Sequence, residues 1–420
     1  MKIRLAIMMF LQFFIWGSWY NTIGLWMGKV GMGDGVSWTY TVGPIAVAIA
    51  PFFGMLVDRF FNTERFLSFS FIVAGLIIGC TPHIAGPGKE NLFNTFIFFH
   101  MLFYMPTLAL TASLSFRHLK NSAREFPVVR VLGTIGWIAG ASTVSVATLG
   151  DMSFIGDDSH RQLYLAAGSS ILLGLYCLSL PKTPPPSKGE PINKRDLLFL
   201  DVWALFKKPS FAVFIVSSFL VCIPLAAYFM SLQNMMHAME ISHIGAKKVF
   251  GQYSEIIFML LMPLIYRKLG VKKLILLGIL AWIVRYALFA MGASQGLVSL
   301  VMIGILLHGI CYDFFFVTGM IYVDESTPAR IRGQAQSCLV FFTQSLGLGL
   351  GAQFVGSKLA PMTLGGNVYE AGTPDKLALW PNFWWILAGI ACVVLIIFLV
   401  IFKEEPRSGD SPSADSGLAH

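Results

Sequence analysis

Twelve runs of roughly 20 apolar residues dominate this sequence. They lie near 4–27, 37–57, 66–82, 92–115, 127–149, 163–180, 211–236, 248–266, 273–292, 297–323, 334–357 and 380–402. At about 1.5 Å per helical residue, each run is long enough to cross a hydrocarbon core of about 30 Å. Only structures that satisfy their own backbone hydrogen bonds survive there, and runs of this length do so as helices. The expected fold class is an all-α membrane protein with twelve transmembrane helices. Charged residues make up 12% of the chain, against about 25% in a soluble domain.

The net charge of +8 could point to nucleic acid, but its distribution does not. Of the 30 Lys and Arg, 21 fall in segments on the side of the chain ends. Seven fall on the opposite side: Lys29, Lys89, Arg161, Lys247, Lys248, Lys358 and Lys376. That asymmetry is the positive-inside pattern with both termini cytoplasmic. The basic excess therefore reports topology, and no nucleic-acid partner is expected.

The remaining two arginines, Arg130 and Arg285, sit inside apolar runs, as do Glu255 and Asp313. A charge at that depth costs at least ~2.5 kcal/mol and is tolerated where it faces a bundle interior or a wet cavity. Four such residues point to a membrane transporter. The six cysteines lie in or beside apolar spans without CxxC pairing and read as small buried hydrophobes. No metal-ligand cluster or nucleophile–base constellation occurs, so neither an enzyme nor a cofactor is expected.

The Pro-rich, basic stretch beginning Pro181-Lys-Thr-Pro-Pro-Pro divides the spans six and six. The expected organisation is an N-terminal six-helix bundle (1–180), a cytoplasmic linker (181–210), a C-terminal six-helix bundle (211–402) and a disordered cytoplasmic tail (403–420). Internal repetition supports this division. The basic segment after span 2, Asp58-Arg-Phe-Phe-Asn-Thr-Glu-Arg, has its counterpart after span 8 in Arg267-Lys-Leu-Gly-Val-Lys-Lys. His100-Met-Leu-Phe-Tyr104 in span 4 recurs as His308-Gly-Ile-Cys-Tyr312 in span 10. The two offsets are nearly equal, and paired halves flanking a midplane site are a recurring transporter design.

Gly54-Met-Leu-Val-Asp58-Arg59 resembles the loop signature of the major facilitator superfamily, although Phe61 stands where a Gly is usual. The resemblance implies a gating role for Asp58 and Arg59. A narrower likeness is carried by Leu11-Gln-Phe-Phe-Ile-Trp-Gly-Ser-Trp19, Tyr104-Met-Pro-Thr107, Glu125-Phe-Pro-Val-Val-Arg130-Val-Leu-Gly-Thr134-Ile-Gly-Trp137, Ser254-Glu255 and Tyr312-Asp313-Phe-Phe. These segments are similar to the bacterial nucleoside:proton symporter family. What this implies is uptake of a nucleoside with protons across the bacterial inner membrane, by a chain expected to be a monomer.

Arg130, Thr134 and Trp137 fall on one helical stripe at i, i+4 and i+7. Matching family positions contribute to the nucleoside site. A guanidinium can donate to hydroxyls or a base carbonyl, and an indole can stack on a base. A snorkelling or interhelical charge is the structural alternative for Arg130. Gln252 and Glu255 share a face at i, i+3, and the family contacts substrate there. Glu255 has two further readings: carrier of the coupled proton, or permanent partner of Arg130 or Arg285. His308 and Tyr312, at i and i+4, stand where the family usually has Tyr and Phe. Asp313 matches a family carboxylate but lies about 100° around the helix from Tyr312. Proton coupling and a structural pair with Arg285 both stand for it.

Span 7 departs from the family, placing Ala226 and Phe229 where two amide side chains are usual, with Tyr228, Gln233 and Asn234 nearby. A facilitator for another polar solute, such as a sugar or glycoside, therefore remains the alternative. Gly347-Leu-Gly-Leu-Gly351 has no strand–turn–helix context for a phosphate loop and reads as close helix packing.

Overall fold

A computed structural model describes residues 1–120, 122–146, 148–149, 152–153, 156–185, 188, 202–328 and 331–403. Residues 186–187 and 189–201 of the linker expected at 181–210, and residues 404–420 of the tail, lie outside them. Among the described residues, seven α-helices precede the linker: α1 (Lys2–Tyr20), α2 (Ile23–Lys29), α3 (Val36–Phe60), α4 (Thr63–Ile84), α5 (Glu90–His118), α6 (Ser122–Val146) and α7 (Arg161–Cys177). Between α6 and α7, Thr148–Leu149 pairs antiparallel with Met152–Ser153. After the linker come α8 (Pro209–Ala238), α9 (Ile244–Lys248), α10 (Phe250–Gln295), α11 (Val298–Ser326), α12 (Arg332–Leu364) and α13 (Trp380–Ile401).

Ten helical stretches among the described residues are long and apolar enough to cross a membrane. The difference from twelve has two sources. Helix α7 has 17 residues, about 26 Å of helix against a hydrocarbon core of about 30 Å, yet it packs along α4 and α1. Helix α10 carries two of the expected runs and bends at Gly270, whose φ of 72° is open to a residue without Cβ.

Helix α1 lies against α6 at backbone contact. A Cβ on Gly136 would stand 2.1 Å from the Phe10 carbonyl oxygen, and one on Gly140 2.4 Å from that of Phe14. Small residues one turn apart let helices approach this closely in a membrane. The Gly347–Gly351 run does the same for α12, with Gly347 and Gly351 against α8 and Gly349 against Pro44 of α3.

The contacts that join α1–α7 to α8–α13 gather at the end away from where α1 begins and α13 ends. There Gln353 Nε2 donates to Thr41 Oγ1 at 2.8 Å, and Asn367 Nδ2 to Asp34 Oδ1 at 2.9 Å. Asp157 Oδ2 accepts from the Ile244 amide at 2.8 Å, and Ser145 Oγ accepts from the Ala246 amide at 3.0 Å. At the opposite end, Arg117 pairs with Asp58 and Arg332 with Asp324, each pair on one side of the linker. Among the described residues the named contacts between the two sets thus lie at one end, the sealed end, whereas the two ion pairs named at the other each stay within one set.

Candidate functional site

A cavity of about 150 Å³ lies between the two sets of helices. Its N-terminal wall is α1 and α6, held in register by the glycine contacts above. Helix α6 contributes Arg130, Thr134 and Trp137, and α1 contributes Phe13, Trp16 and Tyr20. Across from them stand Gln252 and Glu255 of α10, His308 and Tyr312 of α11, and Gln344 and Leu348 of α12. All seven residues singled out in the sequence as ligand contacts line this one cavity.

The N-terminal wall is aromatic with a cationic edge. Trp16 and Trp137 meet edge to face at 5.2 Å, and the Arg130 guanidinium lies 4.3 Å from the centre of the Phe13 ring. Neither the Trp16 nor the Trp137 indole N–H has a protein partner among the described residues. Gln12, on the same helix, turns away and holds Thr107 and Thr111 of α5 at 3.0 and 2.8 Å. His100 bonds the Ala74 carbonyl at 2.9 Å, and Tyr104 donates to the Gln12 carbonyl, so both are satisfied between helices.

The C-terminal wall carries the polar chemistry. Glu255 Oε2 lies 4.0 Å from His308 Nε2, with its side chain 16% exposed. Behind His308 lies Arg285, fully buried, with Nη1 3.1 Å from His308 Nδ1. The Arg285 guanidinium lies 3.6 Å from the centre of the Tyr228 ring, which also stacks on His308 at 5.5 Å.

This geometry overturns two pairings considered from sequence. Arg285 does not hold Asp313: both Asp313 carboxylate oxygens are buried without a hydrogen-bond partner among the described residues. Asp313 also stays out of the cavity wall, as its helical angle indicated. Glu255 stands nearest His308, at 4.0 Å, and among the described residues no ion pair joins it to Arg130 or Arg285.

A family profile described as "Nucleoside H+ symporter" matches residues 1–407. The chain belongs to the nucleoside H+ symporter family. That is a family of transporters, not of enzymes. The YegT protein of Escherichia coli (strain K12) is 33% identical over 411 residues, covering 96% of this chain and 94% of its own. The nucleoside permease NupG of the same organism is 29% identical over 424 residues, covering 96% of each chain. The crystal structure of the nucleoside transporter NupG superposes with a TM-score of 0.83 at 27% identity, covering 96% of this chain and 99% of its own. A D-xylose–proton symporter shares the major facilitator fold, with a TM-score of 0.71 at 12% identity.

Within this symporter, the departure in span 7 is now concrete. Leu225 and Phe229 of α8 give the cavity an apolar patch. Gln233 lies beyond it, donating to the Tyr40 hydroxyl at 3.3 Å and accepting from Lys248 at 2.8 Å. Asn234 bonds the Met230 carbonyl of its own helix.

Three features escaped the sequence reading. Gln344 is an amide inside an apolar run, a signal that was available. Lys248, counted among the charges of the outer loops, is 1% exposed. The contact of Arg285 with His308 joins residues on different helices and left no local trace in the sequence. Asp58 and Arg59, at the end of α3, lie away from the cavity, and Arg59 Nη1 donates to the Met55 carbonyl at 3.3 Å.

Proposed function

We propose that this protein imports nucleosides together with protons by alternating access around the central cavity. The observation that carries the reading is the pairing of its walls. Indoles and a guanidinium on α1 and α6 suit the faces and edges of a base. Carboxylate, amide, imidazole and phenol on α10 and α11 suit ribose hydroxyls. Arg130, Thr134, Trp137, Gln252, Glu255, His308 and Tyr312 are the substrate contacts in this reading, and Glu255 and Asp313 are the carboxylates available for the coupled proton.

Residues 1–180 and 211–402 act as the two moving bodies, with 181–210 as the cytoplasmic linker and 403–420 as the cytoplasmic tail. The protein works as a monomer in the bacterial inner membrane. The Lys/Arg asymmetry puts both chain ends in the cytoplasm, which makes the sealed end periplasmic and the conformation inward-open. In the outward-open state the cytoplasmic ends approach, and Asp58 and Arg59 belong to the gate that closes there. The Asp58–Arg117 pair at 3.5 Å is the contact that closure rearranges.

The test is uptake of radiolabelled uridine and adenosine into cells lacking their own nucleoside transport, with and without a protonophore. Accumulation of either that collapses with the protonophore is the expected result. Absence of uptake of both overturns the substrate assignment, and protonophore-insensitive uptake overturns the coupling.

A further inference from the structure

Arginine carries five N–H donors and no acceptor, and it stays protonated in proteins. The 3.1 Å contact between Arg285 Nη1 and His308 Nδ1 is therefore a hydrogen bond only if Nδ1 accepts. An imidazole that accepts at Nδ1 carries its proton at Nε2. The stacked Tyr228 ring holds both partners in place, 3.6 Å from the guanidinium and parallel to the imidazole within 19°. His308 is thus a fixed donor, and its Nε2–H faces the cavity.

Glu255 Oε2 stands 4.0 Å from that nitrogen, too far for a direct hydrogen bond. The gap suits one intervening hydroxyl. An oxygen about 2.8 Å from both atoms sees them at an angle near 90°, close to the angle between a hydroxyl's own O–H and a lone pair. Such a hydroxyl accepts from His308 and donates to Glu255 in the same pose.

Resting on the nucleoside reading above, we infer that the His308–Glu255 gap is the seat of one ribose hydroxyl, and that Arg285 is a positioning residue that makes the seat selective by fixing the tautomer of His308. A ligand lacking that hydroxyl leaves a buried donor and a buried acceptor unpaired, a loss that reads as roughly 10- to 100-fold in affinity. The assignment accounts for a buried arginine that the transport cycle otherwise leaves without a task.

Two measurements test it. In the first, 2′-, 3′- and 5′-deoxyuridine compete with radiolabelled uridine for uptake. The parent is expected to reject one of the three by at least about tenfold. His308→Phe is expected to remove that discrimination, and His308→Gln, which restores a terminal N–H donor, to recover part of it. Equal competition by all three analogues in the parent, or discrimination that survives His308→Phe, overturns the hydroxyl seat. In the second, nitrogen NMR of the ¹⁵N-histidine-labelled transporter in detergent reads the tautomer of His308, assigned by its absence in His308→Phe. An unprotonated Nδ1 in the parent and a mixed population in Arg285→Met are expected. A protonated Nδ1 in the parent overturns the role of Arg285, as does an unchanged signal in folded Arg285→Met. The NMR signature needs no transported ligand, so failure of the nucleoside reading alone leaves it standing.

Discussion

Lys248 Nζ donates to Gln233 Oε1 at 2.8 Å, with the ammonium fully buried at the junction of α8, α9 and the end of α1. Its second bond, 3.1 Å to the Asn21 carbonyl, crosses between the two sets of helices, and Gln233 extends the chain to Tyr40 of α3. One cation thus satisfies two buried acceptors at the sealed end of the cavity, directly above Tyr228.

Lys248→Met keeps the shape of the stem and removes the donors. Gln233 and the Asn21 carbonyl then lose a partner while buried, at about 1–3 kcal/mol each, but regain water when the outer end opens. The expected result is a shift toward the outward-open state of about tenfold or more. A cysteine placed at Met230, which lines the crevice on the outer side of this junction, reports it through a membrane-impermeant thiol reagent, with Cys80→Ser removing an exposed native thiol. Unchanged labelling in Lys248→Met would assign the closure to the surrounding apolar contacts.

Asp157 makes the same end sensitive to pH. Its carboxylate accepts from the Ile244 and Gly245 amides and from the Ser145 hydroxyl, with the His243 and Lys248 side chains the basic groups nearby. Burial pushes its carboxyl above the ordinary carboxylate value, outweighing those bonds. The closed state therefore holds this proton more tightly than the opened, solvated one. Closure is favoured fully below the ordinary value and loses that contribution as pH rises toward the raised one. Labelling at the same cysteine is expected to quicken as external pH rises through the carboxylate range, and Asp157→Asn to flatten the profile. A parent profile that runs the other way would contradict the assignment.

The cavity residues were legible in the sequence because polar side chains in an apolar helix stand out and spacing groups them on shared faces, Arg130, Thr134 and Trp137 on one and Gln252 and Glu255 on another. Spacing left a structural reading open for each, and it was the resemblance to the symporter family that singled these faces out as substrate contacts. What escaped depends on distance in space rather than along the chain. Lys248 follows Lys247, and a doubled lysine at a span boundary reads as solvated loop, yet one of the two turns inward. Arg285 and Asp313 formed a plausible pair on charge alone, but the arginine is taken by His308 and Tyr228. The five-residue π-turn that begins at Asp313 leaves no local pattern either. The span count blurred for similar reasons: α7 is short, and a single glycine bend joins two spans within α10.

The glycines of α6 make the register of the N-terminal wall testable. A methyl at Gly136 meets the Phe10 carbonyl oxygen at 2.1 Å, so Gly136→Ala must push α1 and α6 apart. Overpacking of this kind costs about 1–3 kcal/mol. A lower melting temperature in detergent and weaker nucleoside competition are expected together, because α1 and α6 carry the aromatic wall. Gly389→Ala in α13 is the control. Nothing lies within 4 Å of its Cβ position, so it should leave uptake alone and stabilise the helix by about 0.5–1 kcal/mol. Equal effects of the two would remove the packing argument.

The two intramembrane carboxylates differ in a way that separates binding from coupling. Glu255 lines the cavity beside His308, whereas Asp313 sits behind the wall, fully buried and without a protein partner among the described residues. A carboxylate left unpaired at membrane depth is costly, and a group kept there without a ligand to hold is suited to exchanging a proton. Asp313→Asn is therefore expected to leave uridine exchange between loaded vesicles within about threefold of the parent while abolishing accumulation driven by a proton gradient. Glu255→Gln keeps a hydrogen-bonding group in the cavity but loses the charge-assisted acceptor, worth about 1.5–3 kcal/mol, so it should weaken competition by uridine at least tenfold. Gradient-driven accumulation by Asp313→Asn equal to the parent would move the proton to Glu255 and merge the two roles in one residue.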